Sequence, residues 1–268
     1  MIFPYRVILA LLVSVLCLTV DSKAQEGERN AVGLAFGGSV FHLKDVHASP
    51  LIFRGTGIAP AAEYLYRGKE CRQEVEASYY AGELATSNTN FTTKNWRARI
   101  RYAYLAPVLR FAFLNEQWDL FAGGSLESFF CKSDYWYSLA GRFNGRSISS
   151  WYWSHSLDCS AQLECPLASG EYLAIAASLP LVSNVSRPVY SPAGDYNYDE
   201  NDWKIKVLGE TRVFPRNFSM IARVMYVRPL ASAWSLHLGY EFASSSYDRP
   251  ADVDMYMNAL RAGVLYSF

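Results

Sequence analysis

The 268-residue chain is poor in the residues from which most metal and catalytic centres are built, with 4 His and 5 Cys. It also lacks an excess of charge, since 25 Lys+Arg stand against 25 Asp+Glu. So few histidines leave little stock for a His-based cluster, and a neutral chain lacks the basic surface that nucleic-acid binding needs. Glycine (17) and proline (11) are too scarce for a collagen-like or low-complexity chain. Past the N-terminus no apolar run reaches the roughly 20 residues of a membrane-spanning helix. What is abundant is apolar and aromatic: 51% of residues are hydrophobic, and there are 19 Tyr, 15 Phe and 7 Trp.

The first 24 residues read as an export signal. Arg6 supplies the positive end, Val7 to Val20 the apolar run, and Ser22-Lys23-Ala24 the small-x-small cleavage pattern, so the mature chain is expected to span 25–268 as one domain. The run stops at Asp21, too short for a retained transmembrane helix. Cys17 follows Leu16 rather than a small residue, which argues against lipidation. Cys71, Cys131, Cys159 and Cys165 remain, too sparse for a disulfide-built fold and with no zinc-type spacing. No metal or cofactor is expected.

Apolar residues then recur at every second position, the period of a strand. Trp96, Ala98, Ile100 and Tyr102 alternate with Arg97, Arg99 and Arg101, and Trp203, Ile205 and Val207 alternate with Lys204 and Lys206. The same pattern runs through Glu74 to Tyr79 and Trp234 to Phe242. Strands are expected at roughly 29–43, 55–67, 71–84, 96–113, 117–132, 151–166, 171–183, 202–214, 217–228, 234–244 and 255–268. Short turns, such as Arg67-Gly68-Lys69 and Leu114-Asn115-Glu116, alternate with long polar segments at 42–54, 85–95, 133–150, 184–202 and 244–254. Such alternation suits an up-and-down barrel crossing a membrane, with short periplasmic turns and long external loops. Eleven strands cannot return the chain to the periplasm. Either Val185 to Tyr190 hides a further strand, giving twelve, or two later strands merge, giving ten; twelve is the expectation.

At the C-terminus Arg261, Gly263, Tyr266 and Phe268 occupy the polar, glycine and two apolar positions of a final-strand signal. Here the chain resembles bacterial outer-membrane β-barrel proteins, which end in such a strand with a terminal Phe. The resemblance implies an all-β transmembrane antiparallel barrel in the cell outer membrane, with outer-membrane lipids and, during assembly, the barrel-insertion machinery as partners. Trp96, Trp118, Trp151, Trp153, Trp203, Trp234 and Tyr266 suit aromatic girdles at the two interfaces. A soluble periplasmic sandwich is the weaker alternative, because it does not explain charge on the opposite face of each strand.

On this phase Glu63, Glu74, Glu76, Arg97, Arg99, Arg101, Asp119, Glu127, Asp158, Glu164, Lys204, Lys206, Glu210, Arg212, Arg223, His237, Glu241 and Arg261 face the lumen. Either their charges pair into a plug, or the three arginines line one wall of a narrow pore for small solutes. A lipid-modifying enzyme is a further alternative. His155-Ser156 superficially resembles the outer-membrane phospholipase family, but neighbours on a strand face opposite ways, and the family's His-x-Ser with a downstream Asn is absent in that form. No catalytic residue is therefore assigned. His237 and Glu241 share a face but lie about 13 Å apart along a strand. Tyr, Asn, Asp and Ser dominate the long segments, a mix suited to surface binding, and the acids Asp195, Asp199, Glu200 and Asp202 fit no calcium loop. The expected function is narrow-pore transport or surface binding without a chemical step.

Overall fold

The computed structural model describes residues 29–46, 48–87, 91–136, 147–167, 170–187, 209–214, 217–248 and 252–268. The expected export signal, Lys204, Lys206, Trp203 and the acids between Asp195 and Asp202 lie outside these residues. The strands are β1 (Arg29–Asp45), β2 (Ser49–Ile58), β3 (Ala61–Arg67), β4 (Arg72–Ala85), β5 (Thr92–Phe113), β6 (Glu116–Trp136), β7 (Ser147–Pro166), β8 (Tyr172–Ser186), β9 (Glu210–Val213), β10 (Asn217–Pro229), β11 (Trp234–Tyr247) and β12 (Val253–Ser267).

All twelve belong to one antiparallel sheet that closes on itself, with β12 against β1 and β10 against β8. Two pairs of strands lie end to end. β2 and β3, broken at Ala59-Pro60, both bridge β1 and β4, and β9 and β10 both pair with β8. Proline lacks the amide that a central strand must donate, which accounts for the break at Pro60. Among the described residues the sheet thus has twelve strands and ten crossings. The odd count of eleven treats 202–214 and 217–228 as opposite crossings, whereas β9 and β10, the described parts of these stretches, both run antiparallel to β8 and lie end to end.

The long polar segments are shorter than expected. β1 runs on to Asp45 and β2 starts at Ser49; β6 reaches Trp136, β7 starts at Ser147, and β11 and β12 meet near Tyr247 and Val253. β5, β6 and β7 contain 22, 21 and 20 residues. A bilayer needs only about 9–11 residues per tilted strand. Serine, aspartate and tyrosine in these stretches mark strand above the membrane rather than loop.

Parity sorts the side chains. In β12, Leu260 is 67% exposed and Val264 also faces out, while Met255, Met257, Ala259 and Leu265 face in. Tyr256 and Tyr266 bound this outward stripe. Ten residues at about 3.3 Å per residue and a tilt near 40° span roughly 25 Å, the height of an outward apolar band. Outer-surface aromatics form two ladders. One steps from Tyr79 to Trp96, Phe130 and Trp153 with ring centroids 6.3, 4.8 and 4.4 Å apart, and the other joins Trp234, Tyr266 and Phe268 at 5.0 and 6.2 Å. Trp118 stands on the same outward parity. Trp151, expected in a girdle, is instead only 2% exposed.

Replacing Leu260 by Arg in the middle of this band is expected to cost about 2–4 kcal/mol of folding free energy in a bilayer. Denaturant unfolding of vesicle-folded protein measures it, and an unchanged midpoint would remove Leu260 from the hydrocarbon.

Candidate functional site

The barrel interior carries a layer of charge beside a buried apolar cluster that includes Phe41, Phe53, Leu84 and Met257. Glu76 on β4 stands at the centre, 3% exposed. It accepts from Arg99 Nη2 at 2.9 Å and Arg223 Nη1 at 2.5 Å, and Arg261 Nη1 lies 3.5 Å away. Glu241 on β11 takes the other side of Arg99 at 2.5 Å and lies 3.6 Å from Arg261. The Tyr80 hydroxyl donates to Glu241 at 2.8 Å and accepts from Arg99 at 3.3 Å and from Arg261. Glu74 extends the layer to Arg223 at 2.5 Å and to Arg101 at 3.6 Å. Four strands, β4, β5, β10 and β11, and the inward face of β12 thereby meet across the lumen.

Room for this layer comes from glycine. Gly37 and Gly239 lie directly opposite Arg261 on its two neighbouring strands. A Cβ on Gly37 would come within 1.8 Å of the Leu260 carbonyl oxygen and 2.7 Å of the Arg261 Cα. The strands can approach there only without a side chain.

Other interior charges sit around the layer. His237 Nδ1 is 2.5 Å from Glu63 Oε1. Glu127 and Asp158 form no ion pair among the described residues, and Asp158 accepts from Ser125 Oγ at 3.3 Å. Arg97 is also without a carboxylate there; its Nε donates to Asn95 Oδ1 at 2.9 Å, and its guanidinium lies 4.7 Å over the Phe41 ring. At the periplasmic end Glu164 receives Arg67 at 3.3 Å and Arg72 at 3.2 Å. At the outer end Asp45 holds Arg187 at 2.9 Å and accepts from Ser150 Oγ at 2.7 Å.

Two expected lumen residues need correction. Glu210 is on the interior parity, but its side chain is 69% exposed at the rim, because β9 is only four residues long; it pairs with the buried Arg212. Asp119 sits at the periplasmic rim and pairs with the exposed Arg110 at 2.5 Å. Arg261, read first as part of the C-terminal signal, also serves the interior layer. Tyr80, Arg67, Arg72, Asp45 and Arg187 were missed. Tyr80 shares parity with Glu74 and Glu76, the only sequence signal that it joins them. His155 faces out, its ring 5.8 Å from that of Trp153, whereas Ser156 lines an interior cavity.

The layer divides the interior. Above it lies a cavity of about 40 Å³ bounded by Arg97, Arg99, Glu127 and Tyr152, and below it one of about 50 Å³ bounded by Glu63, Glu74, Arg223 and His237. Each holds no more than a few water molecules. The four cysteines Cys71, Cys131, Cys159 and Cys165 form no disulfide with one another.

No family model matches the chain, and no curated protein matches it in sequence. Solved structures do resemble it. The outer-membrane protease OmpT of Escherichia coli aligns with a TM-score of 0.51 at 10% identity, over 93% of this chain and 99% of that one. The translocator domain of autotransporter NalP from Neisseria meningitidis aligns at 0.39 and 10% identity over 98% and 96%, and Ail of Yersinia pestis at 0.39 and 10% over 89% and 99%. The closed sheet, its outward apolar band and the likeness to the OmpT structure give the chain the fold of a bacterial outer-membrane β-barrel. Its place is the outer membrane.

Removing one member of a buried ion cluster leaves the others uncompensated. Glu76→Ala, which takes one carboxylate from Arg99, Arg223 and Arg261 and leaves the layer with an excess of buried positive charge, should lower stability by about 3–5 kcal/mol in denaturant unfolding. Arg110→Ala, at an exposed pair, should leave the midpoint in place.

Proposed function

We propose that this barrel is closed to solute and works at its ends, binding surface ligands through the extended outer rim rather than conducting through the lumen. The observation that carries the reading is the Glu76–Arg99–Glu241–Arg261–Tyr80 layer, whose members reach one another from opposite walls. Each guanidinium there is held by at least two oxygen partners, so moving any of them aside breaks several charge-assisted bonds at once. Above the layer, strands rich in Tyr and Ser continue past the bilayer, which supports recognition at that end. Purified protein in planar bilayers should show no steady conductance, and the triple variant Glu76→Ala/Arg99→Ala/Glu241→Ala should show ion-permeable openings. Stable channels in the unaltered protein would refute the closed reading.

One cross-strand row supports a second reading, lipid modification. Ser128 on β6 lies directly opposite His155 on β7, which lies opposite Asn184 on β8. Directly opposed side chains have Cβ atoms about 4.5–5.5 Å apart, within reach of a hydroxyl–imidazole pair. The row faces outward, one step to the membrane side of Phe130 and Trp153, beside a groove bounded by Ile100, Tyr102, Leu126 and Leu157. Asn184 is locked by its bonds to Gly209 and Thr211, 2.7–3.3 Å long. On this reading, fatty-acid release from reconstituted phospholipid disappears in both Ser128→Ala and His155→Ala while folding is retained. Release that survives both changes, or none from the unaltered protein, removes it.

A further inference from the structure

The periplasmic end holds a second concentration of charge that the interior layer does not use. Arg29, Arg67 and Arg72 stand in one cross-strand row, Arg29 directly opposite Arg67 and Arg67 directly opposite Arg72. Like charges directly opposed across strands are destabilising, and this row contains two such pairs. A single carboxylate, Glu164, serves both Arg67 and Arg72. Arg29 and Lys69 have no ion pair among the described residues, and Glu70, in the same turn as Lys69, does not border the pocket described next.

These residues surround a cavity of about 530 Å³, in the range of small-molecule sites. Its cationic wall is Arg29, Arg67, Lys69, Arg72 and Arg110, and among the described residues the carboxylates set against it are Asp119 on the rim and Glu164 behind. The guanidinium groups are held in place before any ligand arrives. Arg67 lies 3.6 Å over the Tyr172 ring, Arg72 lies 4.3 Å over Phe121, and the Gly68 carbonyl accepts from Arg72. The opposite wall is apolar, with Pro107, Val108, Leu109 and Leu120.

That apolar wall exists because β5 and β6 outrun their neighbour. β4 begins at Arg72, opposite Leu105, so residues 106–113 of β5 have no partner on that side. A register shift at Pro107/Leu109 turns Val108 out, where it is 62% exposed, and leads into the outward-facing Leu109, Phe111 and Phe113. One side of the cavity therefore presents fixed cations, and the other continues into the lipid-facing surface.

We infer that this cavity binds the phosphate headgroup of an anionic phospholipid from the periplasmic leaflet. The cations take the phosphate oxygens, for which planar guanidinium groups are suited. The wall at Val108 and Leu109 takes the first methylenes of the acyl chains. A carboxylate or free phosphate would use the cations alone and leave the exposed apolar wall uncovered.

The test uses the folded full-length barrel in detergent. Retention of short-chain phosphatidylglycerol and phosphatidylcholine is measured by native mass spectrometry, with inorganic phosphate as a competitor, for the unaltered protein and for Arg29→Gln/Lys69→Gln. Both substituted residues are exposed and form no ion pair among the described residues, so the variant keeps its fold, which its gel mobility verifies. Phosphatidylglycerol should be retained in preference to phosphatidylcholine, and the variant should bind it roughly ten- to thirtyfold more weakly, as expected for the loss of two cations facing an anionic headgroup. Equal retention of the two lipids, or retention unchanged in the variant, overturns the site. Displacement of the lipid by equimolar phosphate makes it a free-oxyanion site and overturns the lipid assignment.

Discussion

A peptide group in hydrocarbon has no water to bond to, and the architecture follows from that constraint. Leaving a donor or acceptor unpaired there costs several kcal/mol. A sheet meets the requirement only by having no edge, and here β12 meets β1 while β8 meets β10 to remove the last one. Where the chain cannot donate, at Pro60, the break is tolerated because β1 and β4 bridge both halves of the interrupted strand. Once the ring is closed, alternation along each strand divides the side chains between lipid and lumen with no further choice.

Closure also explains why the interior is ionic. The outward face needs apolar groups against hydrocarbon, whereas the inward face can take both an apolar cluster and charged groups, provided the charged groups find one another. The cost of removing Glu76 and Arg99 from water is offset when each gains several charged partners at hydrogen-bond distance. The layer has uneven tolerance as a result. It is strong while complete, and every member depends on the rest. The glycine at 37 belongs to the same design, since it trades strand propensity for the close approach of β1 to the β12 backbone at Leu260 and Arg261.

The period of two and the residue types on each face made the barrel, its antiparallel order and its lipid-facing surface legible in the sequence. Strand number was legible only to within the ambiguity at 202–228, because direction is not written in an isolated strand. The composition of 133–136 and 147–150, which are strand, misled about loops, since serine and tyrosine mark water and not coil. Partners inside the barrel were illegible for a geometric reason. Arg99 and Glu241 are 142 residues apart and join across the lumen, so no spacing along the chain announces them. The same holds for Ser128 beside His155. Sequence adjacency offered Ser156, which the strand's alternation sends to the other face.

On the proposed reading, a closed middle gives the two ends separate duties. Nothing that binds at the outer rim needs to communicate through the lumen, and the short periplasmic turns are freed from shaping a channel mouth. It is consistent with this division that the charges in the middle pair with one another within their own layer, while the row of Arg29, Arg67 and Arg72 has, among the described residues, the one carboxylate of Glu164 set against its three cations. Self-contained pairing is what a plug requires. Unbalanced cations next to an exposed apolar wall, kept despite their mutual repulsion, are instead the mark of a surface that is completed by something outside the chain.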